Sequence, residues 1–593
     1  MATNGSLDGK TRDAPGKTPA GIPESGAAAR LLLDPRAAST SSHGTQTPGR
    51  PPIDTMPDTM PAQFASEPPT AASPAADGLL SALRKKSSPM MPPFMVSAPG
   101  KVIVYGEHAV VHGKAAIAAA ISLRSYLHVS FLSKSNRTVK LRFPDIHMEH
   151  TWDIDDLPWD SFSKPGKKKY YYDLVTSLDP DLVLAIQPFI DEVSPKAPDS
   201  IRKIHHASAC SFLYLFLSLA SRRTPPCVYT LRSTIPIGAG LGSSASISVC
   251  LSAAMLMQIR ALSGPHQDQP PQECELNIER INRWAFVGEM CIHGNPSGVD
   301  NTVSSGGKAV LFQRRDYDKP PLVIPLRSFP ELPLLLVNTR QSRSTATEVA
   351  KVANLRNVHP ALTENILNAI GMVTESAHKL LTSPGFDPTS HAALKHLGEL
   401  VTINHGLLVS LGVSHPKLER IREIIDHTGI GWTKLTGAGG GGCAITILKP
   451  QPPQQTNGHT SINSHTSSPH IHDSSSDDSD ASSEVDCAAS IISTSTKLKY
   501  KILDSLEVKL ANEGFEKFET TLAGDGVGIL WPAVLHNGNE EEGGEEIDQE
   551  KFLNAAGTTG IERLVGVASS RRKNDREVRE GWKFWRPWEV PEP

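Results

Sequence analysis

A chain of 593 residues is too long for one ordinary domain and comfortable for two with added tails. Its 59 Lys and Arg against 63 Asp and Glu leave a formal charge of −4, which argues against a partner held by bulk attraction to a nucleic-acid backbone. The 45 Gly and 47 Pro beside 39% hydrophobic residues describe a folded core diluted by segments too polar to fold.

Residues 1–93 mix Pro, Ala, Ser and Thr without a sustained period and read as a disordered arm. Asp8, Asp13, Glu24 and Asp34 argue against a transit peptide, and no secretory apolar region opens the chain. Cys210, Cys227, Cys250, Cys274, Cys291, Cys443 and Cys487 are odd in number and form no Cys-x-x-Cys, which suits a reduced, cytoplasmic protein.

Ordered character begins near Phe94. Ser97–Gly113 (SAPGKVIVYGEHAVVHG) sets Lys101 in a strand-like run and follows it with Glu107 and His108. Taken alone, Lys101 would be a solvated charge and His108 an ordinary loop histidine. The same run contains a loose peroxisomal pattern at Lys101–Ala109, but inside a strand and far from the N-terminus it reads as coincidence. Lys164–Tyr172 (KPGKKKYYY) is basic and aromatic, the pattern of a solvated loop. Ala209–Ala220 is too short to cross a bilayer and reads as a core helix, so no membrane span is expected.

The central glycine-rich segment is Gly238-Ala239-Gly240-Leu241-Gly242-Ser243-Ser244, between a strand ending near Ser233 and a long apolar helix. Glycines let backbone N–H groups approach an anion, and the start of the helix adds free donors and a positive dipole end. That is a phosphate cradle, without the Gly-Lys-Ser/Thr of a Walker loop. Farther on, Glu289 lies on a helix and Asp300 follows after GNPSG, which can turn both carboxylates toward one cleft. The third segment, Thr436–Cys443 (TGAGGGGC), contains Gly-x-Gly-x-x-Gly. AITIL follows it, a strand and not the helix that a dinucleotide site needs, so a glycine-rich hairpin-like loop is expected.

Residues 450–496 form a low-complexity stretch of Pro, Gln, Ser and Asp, and its His459, His465, His470 and His472 lack a fixed metal-ligand geometry. A helix over 498–514, with Gly514 near its stop, and one strand-like run over 520–531 make this stretch an insertion within a domain. Residues 533–593 end in an aromatic cluster of Trp582, Phe584, Trp585 and Trp588, either docked on the core or a partner, or part of a loose tail. Strands and helices alternate without a strict βαβ rhythm, so the fold class is α+β in two lobes.

The three glycine-rich segments, in this order and spacing, resemble the motifs of the GHMP small-molecule kinases. APGKVIVYGEHAVVHG and GNPSGVD (Gly294–Asp300) are most similar to the members acting on mevalonate. The resemblance implies a cleft between an N-terminal lobe, 94–325, and a C-terminal lobe, 326–449 plus 497–532. It implies ATP-dependent phosphorylation of the 5-hydroxyl of mevalonate, with Mg2+ bound through Ser244 and Glu289. Asp300 would be the catalytic carboxylate, and Lys101 the cation close to it and to the transferred phosphoryl group. The backbone of Gly238, Ala239, Gly240, Leu241, Gly242, Ser243 and Ser244 would wrap the nucleotide, with Ser233 a further contact. Glu107, His108, Thr345 (in NTRQSRST, Asn338–Thr345) and Ala438 would face mevalonate. The resemblance further implies feedback inhibition by isoprenoid diphosphates and a homodimer. Asp145 stands where family members often carry asparagine, so no adenine contact is assigned to it. A galactokinase-like enzyme would follow Glu-His with Thr-Asp, where this chain has Ala109-Val110. A catalytically dead sensor would have no need of Lys101, Ser244, Glu289 and Asp300 together.

Overall fold

Phe94–Tyr105 (β1) and Ala115–Phe131 (β2) are almost unbroken runs of buried residues, the pattern of strands covered on both faces. They pair antiparallel, with a register irregularity between Pro99 and Lys101. The structure is a computed structural model that describes residues 91–266, 268–316, 321–449, 501–537, 544–566 and 579–587. The arm before residue 91, the low-complexity stretch at 450–496 and Trp588 lie outside the described residues.

Thr138–Phe143 (β3) and Met148–Asp153 (β4) form a hairpin, and β3 runs parallel to Cys227–Ser233 (β5). The length of β2 lets it serve two partners. Ser125–Phe131 pairs with β5, and Ala115–Ala119 pairs with Ala309–Gln313 (β6), which Leu322–Leu326 (β7) flanks. In the C-terminal half, Leu332–Asn338 (β8), Gly431–Leu435 (β9), Cys443–Leu448 (β10) and Glu516–Leu522 (β11) follow the order β11-β8-β10-β9. Leu522 of β11 pairs with Ile121 of β2, so one sheet continues through both halves. The mixture is α+β, as the sequence led us to expect.

Helices cover the sheet where their apolar stripes demand it. Asp199–Leu219, which contains all but the last residue of the apolar run Ala209–Ala220, packs with Ser243–Gln258 and Pro271–His293 in one core with β3–β5. Pro360–Leu381 and His391–Ser410 bury theirs against β8 and β10. No helix of the described residues is long and apolar enough to cross a membrane.

The run 520–531 is not one strand. Ala523 sits at φ 65, and the chain bends before Gly528–Leu530 (β12). β11 pairs with β8, whereas β12 pairs with β1. Residues 501–512 are helical and Gly514 follows at φ 79, as expected. Leu506 and Leu510 of that helix share a core with Leu435 and Ala444, so the elements flanking 450–496 pack together.

The described members of the terminal aromatic cluster, Trp582, Phe584 and Trp585, dock on the core. Val534–Asn537 (β13), Glu545–Glu546 (β14) and Arg579–Glu580 (β15) form a small sheet, and Lys583–Phe584 (β16) extends the main one beside β12. Trp585 is fully buried, and its indole Nε1 donates to Ser263 O at 3.2 Å. The helix Gln549–Leu553 lies against β2 and β5, where Gln549 accepts from Ser130 Oγ at 2.8 Å and donates to Thr230 Oγ1 at 2.9 Å.

Candidate active site

The three glycine-rich segments converge on β1. The N–H of Lys101 donates to Leu241 O at 2.8 Å, and Thr436 Oγ1 donates to Ile103 O at 2.7 Å. The third segment is the loop joining β9 to β10, as expected. Gly242 occupies the left-handed region at φ 73, and a Cβ there would lie 3.0 Å from Lys101 Cγ and 3.6 Å from Asp300 Oδ2. Glycine therefore meets two needs at once: the turn into the helix and room for the charged pair. The helix begins at Ser243 with no side-chain cap, which leaves its first N–H groups available to an anion.

Asp300 stands in the first turn of the helix Val299–Gly306. Its Oδ1 is 3.2 Å from Lys101 Nζ; the lysine side chain is 9% exposed and the aspartate 33%. Lys101 Nζ also reaches Gly240 O at 3.5 Å. The lysine is thus buried, while the aspartate stays partly open.

Glu289 lies near the end of the helix Pro271–His293 and is 4% exposed. Burial, reinforced by the charge of Asp300, pushes its carboxyl up to about 7, while Ser244 and Lys101 pull it back. Its Oε1 is buried without a hydrogen-bond partner. Glu289, His293 and Asp300 line a hollow of about 200 Å³, and Ser244 Oγ is 3.1 Å from His293 Nε2. Among the described residues no group of three or more His, Cys, Asp or Glu side chains gathers to hold a metal. An orphaned carboxylate oxygen beside a serine hydroxyl nevertheless suits Mg2+, which takes few protein carboxylates and fills its shell with water and phosphate oxygens.

His293 and Asp300 also line a neighbouring cavity of about 630 Å³. Lys101, Gly238, Gly240, Leu241, Gly242, Ser243, Ser244, Thr345 and Ala438 line it too, so most of the expected residues meet there. Leu141, Phe143, Ile146, Leu231, Ile247 and Leu251 give it a mainly apolar part, to which Lys203, Ser208 and Ser211 add polar groups.

Several expected residues lie off this surface. Glu107 was expected to face a substrate, but its side chain is 0% exposed, paired with Lys434 and accepting from Asn404 Nδ2 at 2.9 Å. Two partners inside the protein satisfy that carboxylate, so Glu107 anchors its loop and takes no direct part in the cleft. His108, at φ 59, meets Ala438 O at 2.8 Å, and burial lowers its pKa. Ser233 donates its N–H to Asp145 at 2.7 Å, its hydroxyl accepts from Ile235 N at 3.1 Å, and it does not line the cavity. Ala239 is buried and presents its carbonyl to Arg343 at 3.1 Å.

Sequence reasoning passed over Arg343 and His293. Arg343 lines the cavity and bridges the second and third glycine segments, with Ala239 O at 3.1 Å and Gly439 O at 3.4 Å. A cation just before Thr345 in the quoted NTRQSRST run was the available signal. His293 stands one helical turn beyond Glu289, the spacing that puts both on one face.

Residues 211–308 match the family described as GHMP kinases N terminal domain, and residues 390–456 match GHMP kinases C terminal. The chain is similar to the mevalonate kinase of Gibberella zeae, 62% identical over 505 residues that cover 85% of this chain and 89% of that one. It is likewise 62% identical over 503 residues to that of Aspergillus fumigatus, covering 85% and 84%. With that of Candida albicans the identity is 38% over 498 residues, covering 83% and 99%.

Proposed function

The chain belongs to the mevalonate kinase family of the GHMP kinases, and from that premise we propose how its cleft works. It transfers the terminal phosphoryl group of ATP to mevalonate, giving 5-phosphomevalonate and ADP. The Lys101–Asp300 pair at 3.2 Å beside an uncapped helix start carries the assignment of roles.

The nucleotide's phosphates lie along the Gly238–Ser244 backbone and its base in the apolar part of the cavity. Asp300 orients the 5-hydroxyl of mevalonate and receives its proton. The oxygen forms a bond to the terminal phosphorus while the bond to the bridging oxygen breaks and ADP departs. Because the transition state is loose, proton demand comes late, and a carboxylate whose basicity Lys101 tempers is adequate. Lys101 offsets charge on the transferred group. Thr345 and Ala438 form the mevalonate side, with His108 bracing the Ala438 carbonyl from behind and Glu107 holding the His108 loop in place. Mg2+ would be held by Glu289 and Ser244, where it would neutralise phosphate charge.

The apolar part of the cavity, next to the phosphate cradle, also supports feedback inhibition by isoprenoid diphosphates in competition with ATP. The family resemblance supports a homodimer. No disulfide joins the six described cysteines, which supports a cytoplasmic setting.

The test is ADP release by the purified full-length chain with ATP and Mg2+ against mevalonate, galactose and homoserine. Turnover is expected with mevalonate alone. Turnover of galactose would replace this reading with a sugar kinase, and ATP binding without turnover would replace it with a sensor.

A further inference from the structure

Arg232, on β5, is a charged side chain only 7% exposed, and its guanidinium contacts two parts of the chain. Nε donates to Asp145 Oδ1 at 2.9 Å. Nη1 donates to Phe552 O at 3.0 Å and Leu553 O at 2.6 Å, and Nη2 to Ala555 O at 2.8 Å. The cation thus caps the carbonyl end of the helix Gln549–Leu553, where partial negative charge collects. The second oxygen of Asp145 accepts from Ser233 N at 2.7 Å.

Asp145 sits in the turn between β3 and β4. Its neighbours Phe143 and Ile146, and Leu231 beside Arg232, line the apolar part of the 630 Å³ cavity. No residue of 549–555 does. We propose that residues 549–555 hold the wall of the nucleotide-base pocket in place through Arg232 and Asp145, which makes Arg232 a positioning residue for ATP. This rests on the reading of the cavity as an ATP site. The base binds far from the bond that breaks, so a misplaced wall weakens ground-state and transition-state binding alike.

The experiment uses the full-length chain with Mg2+ and varies ATP and mevalonate separately. Inorganic tripolyphosphate, which has no base, serves as a competitive inhibitor. For Arg232→Gln we expect the KM for ATP to rise about tenfold, with kcat and the KM for mevalonate within about twofold. Tripolyphosphate inhibition should stay as in the unmodified chain. Arg232→Lys should fall between the two, because an ammonium cannot span the same fork of acceptors. An unchanged KM for ATP, a parallel loss of tripolyphosphate binding, or a fall confined to kcat would overturn the proposal. If Arg232→Gln does not fold, Asp145→Asn is read the same way, with about a threefold rise in KM for ATP expected and no rise overturning the proposal. Failure of the unmodified chain to phosphorylate mevalonate would instead remove the ATP-site premise.

Discussion

The first glycine-rich segment contributes to two lysine–carboxylate pairs with opposite fates. Lys101 meets Asp300 with side-chain exposures of 9% and 33%, whereas Glu107 meets Lys434 with both at 0%. In the first pair water, and hence a ligand oxygen, can still reach the carboxylate. In the second, Asn404 takes the remaining acceptor and closes the site. A charged pair sealed inside a protein holds the chain in place, and one whose carboxylate stays partly open can exchange its partner for a substrate. The difference is one of access, since the residue types are the same.

Removing the open carboxylate should have the largest effect. Asp300→Ala is expected to lower kcat about a thousandfold, roughly 4 kcal/mol of barrier, with both KM values changed only a few-fold in steady-state kinetics. A large rise in KM at unchanged kcat would make Asp300 a binding residue only.

Breaking the closed pair should act on stability. Lys434→Met leaves Glu107 buried without its cation and should cost about 3–5 kcal/mol in urea unfolding. Adding Glu107→Leu should restore much of that loss. If the double variant is no more stable than the single, the anchoring role assigned to the pair is wrong.

Lys101→Met returns to the open pair and should reduce kcat/KM about a hundredfold. Its unfolding free energy should move by less than about 1 kcal/mol, since a partly exposed pair contributes little to stability. An equal loss of stability would erase the contrast between the two pairs.

The smallest effect concerns a buried imidazole ring. His128 is 1% exposed. Burial drives its pKa down to about 4, outweighing the Ile547 backbone and the Asp548 charge. The folded state therefore favours the neutral ring, and its contribution is complete above the unfolded value near 6.5. Stability is lost as pH falls from there through 4, by roughly 2–3 kcal/mol. Unfolding curves from pH 7 to 4 should show this slope, and His128→Leu should flatten it.

The glycine-rich turn into a helix was legible because glycine spacing is a local signal, whereas the Lys101–Asp300 pair was expected only from the family resemblance, since Lys101 taken alone reads as a solvated charge. Glu107 was misplaced because its partners Asn404 and Lys434 come from the distant C-terminal half, so nothing near it in sequence marks its burial. The run 520–531 has strand-like composition throughout. Its break at Ala523, and the assignment of its two pieces to β8 and β1, depend on tertiary pairing. The aromatic run at Trp585 did not show where it would dock, and nothing local marks Arg232, whose partners at Phe552 and Ala555 lie more than 300 residues on.

The central claim is that Lys101 and Asp300 act as one unit on the transferred group, and a double-mutant cycle on kcat/KM tests it most directly. The account predicts that Lys101→Met combined with Asp300→Ala is scarcely slower than Asp300→Ala alone. Losses that multiply in full would show two independent residues and contradict it.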